Sequence, residues 1–397
     1  MTEWIECVLS DIGEIVGGAT PSTKDDSNYD GDIAWLTPKD LSTFTERYIK
    51  KGERSITEKG YKSCSTKILP ANSVLFSSRA PIGYVAIAAN EMCTNQGFKS
   101  IIPNEKVDYM FLYYLLKYKK SAIEGMGSGT TFKEVSGNVM KNIEVRIPKE
   151  KSVQKKIAEI LDKIDSKIEN NNMINRNLSE QLKAIFVETF GQEISNTKIG
   201  DGVDLGELID VIDNRGKTPP LTTDTIEYPI IDVGALRGDI RVVDFNNCTK
   251  FVDEDTYNNW FRSGHPKPWD ILLSTVGSLA EMKIFLGEKG CIAQNVVALR
   301  SKGISPLYLF QYLQYIRNDL VAYNIGSVQP SIKVTHIIKH PIFVPEENRI
   351  KEFDKLARTF TDQIYKLYCE CENLKGIRDG LLPKLMSGEL DVSELDI

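Results

Sequence analysis

The sequence predicts an α/β (α+β) protein built as a pseudo-two-fold tandem repeat, with two similar globular domains joined by two long antiparallel coiled-coil helices. Three observations predict it. Apolar residues recur every seven positions through Val153 to Ile185 and again through Ile350 to Leu381, the spacing that buries best against a second helix of the same kind. One offset of 196 to 198 positions relates the two halves of the chain element by element. Ahead of each long helix, short strand-like runs alternate with turns and then give way to a single helical face.

Residues 1–148 form the first domain. Ile33 to Leu36, Ser73 to Phe76 and Tyr84 to Ala88 read as strands punctuated by Thr37-Pro38-Lys39 and by Arg79-Ala80-Pro81-Ile82-Gly83. From Asp108 to Gly125 the period changes, placing Phe111, Leu112, Leu115, Leu116 and Ile123 on one face, with Asp108 at the N-terminal end. Beyond Gly127-Ser128-Gly129, strict alternation from Lys141 to Ile147 reads as a half-buried strand that Pro148 stops. The central helix, residues 149–191, carries the seam Ile157, Ile164, Asn171, Leu178 and Ile185.

The second domain, residues 192–345, repeats the first. Asp270 to Thr275 stands 197 positions after Ser73 to Ser78, Gln294 stands 198 after Gln96, and Pro345 stands 197 after Pro148. In the last segment, residues 346–397, Phe353, Phe360, Leu367, Leu374 and Leu381 each lie 196 positions after their counterparts in the first seam. Two such units with antiparallel helices predict a dumbbell with a pseudo-dyad. The closing SGELDVSELDI resembles VDLGELID at the entry to the second domain, so the C-terminus is expected to return beside the N-terminal strand. Asn171 and Asn175 interrupt the apolar rows, either as a buried polar pair that fixes register or as a solvated patch.

Composition excludes several classes. With 41% apolar and 26% charged residues the chain is an ordinary globular one, and no stretch approaches the roughly 20 apolar residues of a membrane span. The acidic start and the absence of a signal-peptide pattern make a cytoplasmic protein the expectation. Seven scattered cysteines and three histidines support neither a disulfide framework nor a metal site. A net charge of −6 argues against indiscriminate coating of nucleic acid, but leaves room for a local basic cleft.

Catalytic signatures are missing. There is no GxGxxG turn after a strand, no phosphate loop and no Asn-Pro-Pro-aromatic run, and with so few histidines no nucleophile and base can be paired. No cofactor is expected. What remains is a shape, two similar but non-identical heads on a rigid helix pair, which suits double-stranded DNA with two half-sites.

Gly380-Leu381-Leu382-Pro383-Lys384-Leu385-Met386-Ser387-Gly388-Glu389-Leu390 resembles a motif of the specificity subunit of type I restriction-modification enzymes. So do GDIAWLTPKDLS, SSRAPIGYVAIA, TNQGFKS and VQKKIAEILDKID, so the resemblance spans essentially the whole chain. It implies a non-catalytic subunit whose heads are target recognition domains, each reading one half of a bipartite DNA sequence. It also implies helices that set the spacing and dock two methyltransferase subunits, with the restriction and motor subunits joining that core. A self-contained DNA methyltransferase and a coiled-coil scaffold that binds no DNA are the alternatives.

The family's reading residues vary with the target, so contacts are chosen on chemistry: cations for phosphates and guanine, amides for adenine. In the first head these are Lys39, Arg79, Lys99 and Lys133, with Gln96 and Thr131 as base readers. In the second they are Arg215, Lys217, Arg237 and Lys333, with Gln329. Each is alternatively a solvated surface residue. Val276 to Ala280 replaces the Arg79 to Gly83 text, so the two heads are expected to read different sequences.

Overall fold

The hydroxyl of Ser77 accepts from Tyr84 N and donates to Pro81 O, and 197 positions later Ser274 accepts from Glu281 N and donates to Ser278 O. The repeat is therefore present in the hydrogen bonding as well as in the text. The computed structural model describes residues 2–79, 81–128, 133–196, 202–326 and 328–394. It divides into two units, residues 1–170 with 371–397 and residues 171–370, so both long helices contribute to both.

In the first unit a five-stranded sheet runs in the order Gly13–Gly17, Lys99–Pro103, Val74–Ser78, Ile82–Ala88, Tyr48–Ile49. A smaller sheet places Tyr29–Leu36 between Ser55–Ile56 and Cys93–Thr94. Helix Tyr109–Gly125 starts where the Asp108 carboxylate accepts from Met110 N and Phe111 N, satisfying two amides that have no partner within the helix. Its apolar face packs Phe111, Leu112 and Leu115 against Val74, Phe76 and Ile101 of the sheet, and Ile157 and Leu161 of the first long helix join the same core. The chain end closes this unit. Val392 is buried in that core, Thr2 donates from N and Oγ1 to the Asp391 carboxylate, and Gly388, at φ +80°, lies so close to Trp4 that an added Cβ would come within 2.8 Å of the indole.

The second unit repeats this plan with fewer strands. Its main sheet runs Ile209–Ile212, Val296–Ser301, Ile271–Ser274, Met282–Ile284, and Tyr228–Ile231 pairs with Phe251–Val252 and Cys291–Ile292. Helix Pro306–Tyr315 is capped by Ser305, which accepts from Leu307 N and Tyr308 N, and Pro306 supplies a first-turn residue with no amide to satisfy. Leu309, Phe310 and Leu313 meet Leu273, Val297 and Leu299, and Leu182, Phe186, Phe190, Phe353 and Ala357 of the long helices complete the core.

The first long helix, Lys151–Asn196, runs five residues past the expected end, and the second, Glu347–Ser387, continues through Pro383. They pack antiparallel. In the first unit Arg378 Nη1 donates to Asp165 Oδ1 at 2.8 Å and Cys371 Sγ approaches Ile168 O at 3.8 Å. In the second, Asn171 Nδ2 donates to Glu370 Oε2 at 3.0 Å and Arg349 Nη1 to Glu193 at 2.6 Å. Of the seam residues, Ile157, Asn171, Phe353 and Leu367 are buried, while Ile164, Leu178, Ile185, Phe360, Leu374 and Leu381 are half-buried. Asn171 and Asn175 are both buried, which excludes the solvated patch. Asn171 Oδ1 and both amide atoms of Asn175 find no partner among the described residues.

All seven cysteines are free, and no metal-ligating cluster occurs among the described residues. Among the described residues no helix is long and apolar enough to cross a membrane.

Candidate nucleic-acid interface

A cleft of about 390 Å³ in the second head gathers Asn214, Lys217, Thr218, Lys250, Trp260, Gln294, Asn295 and Gln329. Each arrives by a local device. Asn214 anchors the loop after Ile209–Ile212, donating to Gly264 O and accepting from Ser263 N, which leaves Lys217 and Thr218 at the cleft. Asp232 caps the turn Val233–Leu236 by accepting from Gly234 N at 2.8 Å, and Trp260 ends the helix Glu254–Trp260 with its ring partly exposed. Thr275 N donates to Asn295 O and Ile332 N to Thr275 O, so the strand Ile271–Ser274 fixes both the Gln294 turn and the segment after Gln329.

The lining suits base edges. Amides of Gln and Asn offer a donor and an acceptor side by side, the pattern adenine presents in the major groove, and lysine meets phosphate or guanine. Lys217 and Lys250 outweigh Asp232, the one carboxylate on the wall. Gln294 Nε2 donates to Thr218 Oγ1 at 3.3 Å, whereas Asn295 Oδ1 is buried without a partner among the described residues.

Other predicted residues of this head lie apart from that lining. Arg215 is salt-bridged to Asp213, Arg237 Nη2 donates to Ser278 Oγ at 3.0 Å, and Lys333 is exposed at the start of the short helix Val334–Ile337.

In the first head Thr20 donates to Gln96 Oε1, the counterpart of the Thr218 and Gln294 pair. Pro38 packs against Gly97, where an added Cβ would come within 2.7 Å of the proline ring, so the turn bearing Lys39 lies beside the turn bearing Gln96. Arg79 and Lys99 both reach Glu134 at 3.3 Å, which ties them together next to the exposed Lys133. Lys39 is paired with Glu53 at 2.8 Å on the open surface, where such a pair is readily exchanged for another anion. Thr131 lies outside the described residues. A separate pocket of about 400 Å³ beside Lys39 is lined by Asp40, Glu46 and Glu53 against Lys50 and Lys51, a balance unsuited to phosphate.

Sequence reasoning passed over Asn214, Lys250 and Trp260. Gln294 and Asn295 were within its reach, since the offset pairs them with Gln96 and Gly97.

Residues 1–180 match the family model described as the type I restriction modification DNA specificity domain. Over 415 aligned residues the chain is 32% identical to the type I restriction enzyme MjaIX specificity subunit of Methanocaldococcus jannaschii, covering 99% of this chain and 95% of that one. The MjaVIII specificity subunit of the same organism is 22% identical over 420 residues, covering 99% and 94%. Among solved structures, the type I restriction-modification S subunit from M. genitalium shares the fold, with a TM-score of 0.55 at 17% identity and coverage of 97% and 96%.

Proposed function

This chain belongs to the DNA specificity subunits of type I restriction-modification systems, and on that premise we propose that each of its two heads reads one half of a bipartite duplex site. It is a non-catalytic subunit of the restriction enzyme. In the proposed division of labour the heads correspond to residues 1–148 and 192–345. The long helices set the gap between the half-sites and carry two methyltransferase subunits, through which the motor and nuclease subunits join, in the cytoplasm. Methyl transfer and cleavage then fall to those partners, and this chain supplies the address.

One observation carries the reading. The same scaffold appears twice, with the Thr20 and Gln96 pair matched by Thr218 and Gln294, while the residues around it differ: Gly97 against Asn295, and Arg79 against Val276. A repeated frame with different reading residues suits two different half-sequences.

The test is selection from a random duplex library by the chain assembled with its methyltransferase subunits. Two defined half-sequences separated by an undefined gap are expected. One continuous motif, or no preference, would contradict the reading.

A further inference from the structure

A pocket of about 630 Å³ opens in the second unit, between Ser179 to Val187 of the first long helix and the head residues Arg241, Lys283 and Phe310. It shares no lining residue with the base-edge cleft, although the turn that lends Val276 to the cleft lends Ala280 and Glu281 to this pocket.

Arg241 has no counter-ion among the described residues. It is 5% exposed, Nη1 donates to Gln311 Oε1 at 3.1 Å, and the guanidinium carbon lies 4.7 Å from the centre of the Phe310 ring. Its Nε and Nη2 have no hydrogen-bond partner among the described residues. Burial alone acts on its charge and pushes its pKa down, with no carboxylate working the other way. Lys283, also buried, spends Nζ on the neutral carbonyls of Gly238 and Ile240. The first unit treats its shielded guanidinium groups differently: the buried Arg47 meets Asp162 and Glu169, and the half-buried Arg378 of the second long helix meets Asp165 and Asp379. A buried charge with unused donors destabilises the empty chain and gains from an anion supplied from outside.

The rest of the lining narrows the choice of anion. Lys183 and Arg317 bring the pocket to four cations, against the three carboxylates Glu180, Asp239 and Glu281, which leaves one net positive charge. That balance fits a monoanion, whereas a phosphate monoester carries about −1.5 to −2. Val187, Met282, Phe310 and the partly exposed Tyr315 add an apolar wall, and the volume lies in the range of about 300–1,000 Å³ typical of small-ligand pockets.

We propose that this pocket binds a carboxylate borne on an apolar body, which Arg241 takes as its missing counter-ion. Two sources share that chemistry: a free small carboxylic acid, and an acidic side chain presented by another subunit of the complex. Only the second rests on the functional reading above.

The full chain is titrated with phenylacetate, and with neutral phenylacetamide at equal ionic strength, following Tm. For a free acid, phenylacetate alone should raise Tm saturably, with an apparent affinity about tenfold weaker in Arg241→Gln, the scale of one charge-assisted hydrogen bond, and partly restored in Arg241→Lys. For a partner's side chain, Arg241→Gln should weaken assembly with the methyltransferase subunits by a similar factor. The proposal is overturned by a phenylacetate response that is undiminished in Arg241→Gln. It is equally overturned if phenylacetate and phenylacetamide act alike on the native chain and assembly is indifferent to Arg241. If Arg241→Gln does not fold, the native titration and competition of phenylacetate with assembly decide the matter: a response in either supports the pocket, and silence in both overturns it. DNA selection run in parallel separates this test from the functional reading, because loss of bipartite reading alongside an intact phenylacetate response counts against the latter alone.

Discussion

Gln294 donates its side-chain amide to Thr218 Oγ1 at 3.3 Å, and 198 positions earlier Thr20 and Gln96 form the same pair with the direction of donation reversed. A glutamine amide can turn either way, so the pair survives as a frame while its exposed edge changes. Around it the backbone bonds repeat too: Ser78 N to Gly97 O and Val135 N to Ser78 O in one head, Thr275 N to Asn295 O and Ile332 N to Thr275 O in the other.

Lys217 and Gln329 line the same cleft but should act differently. Lys217→Ala is expected to weaken binding to all sequences alike and to reduce the salt dependence by about one phosphate contact. Gln329→Ala is expected to cost about 1–3 kcal/mol at one base position and to leave the salt slope unchanged. Titrations at several salt concentrations against a panel of single-base variants measure both. Identical profiles for the two variants would remove base reading from Gln329.

Asn175 is buried, and neither of its amide atoms finds a partner among the described residues. Leucine in its place removes those two groups while Asn171 keeps its bond to Glu370, so Asn175→Leu should stabilise the chain by about 1–3 kcal/mol in chemical denaturation. A loss of stability would show that the amide is satisfied in solution.

Arg47 ties the first head to the first long helix. Its side chain donates to Glu169 Oε1 and Oε2, to Asp162 and to Ser166 Oγ, and its backbone N also meets Glu169. Arg47→Met leaves Glu169 without its main partner and should cost about 3 kcal/mol. Adding Glu169→Leu should recover part of the loss, because the stranded charge goes with it. Strictly additive effects in the two variants would mean that the pair is not coupled.

Stability should fall between about pH 7 and 5 because of His265 and His340. Burial lowers the pKa of both, and His265 is stacked on Tyr257 at 3.8 Å with Nδ1 unpartnered among the described residues. The unfolded chain takes up protons near pH 6.5 while the folded chain resists them, so the stability is present above that pH and is lost as pH drops below it. The carboxylates Asp25 and Asp391, held low by hydrogen bonds, act only at more acid pH. Denaturation midpoints at the two pH values should differ less in His265→Gln/His340→Gln than in the native chain. Equal differences would clear the histidines.

Much of this was legible because it depends on periodicity. Ile157 and Phe353 sit on seven-residue rows, Asp108 precedes a helical face, and one offset pairs Gln96 with Gln294. Burial and pairing between distant residues were not. Arg79 and Lys99 read as cations available to phosphate, yet both reach Glu134, which only the fold brings near. Arg241 has no periodic signature, since its isolation depends on where Phe310 and Gln311 arrive. The first helix outran its expected end because its last turns are held from outside, with Ser195 Oγ 3.2 Å from Tyr315 OH.

The central claim is that the heads read DNA independently. Residues 1–148 are replaced by the corresponding head of a related specificity subunit, the chimaera is assembled with the methyltransferase subunits, and methylated positions are mapped by sequencing. One half of the recognised sequence should change while the other half and the gap between them stay as they were. A change in both halves, or loss of definition in the untouched half by a chimaera shown to be folded, would contradict the account.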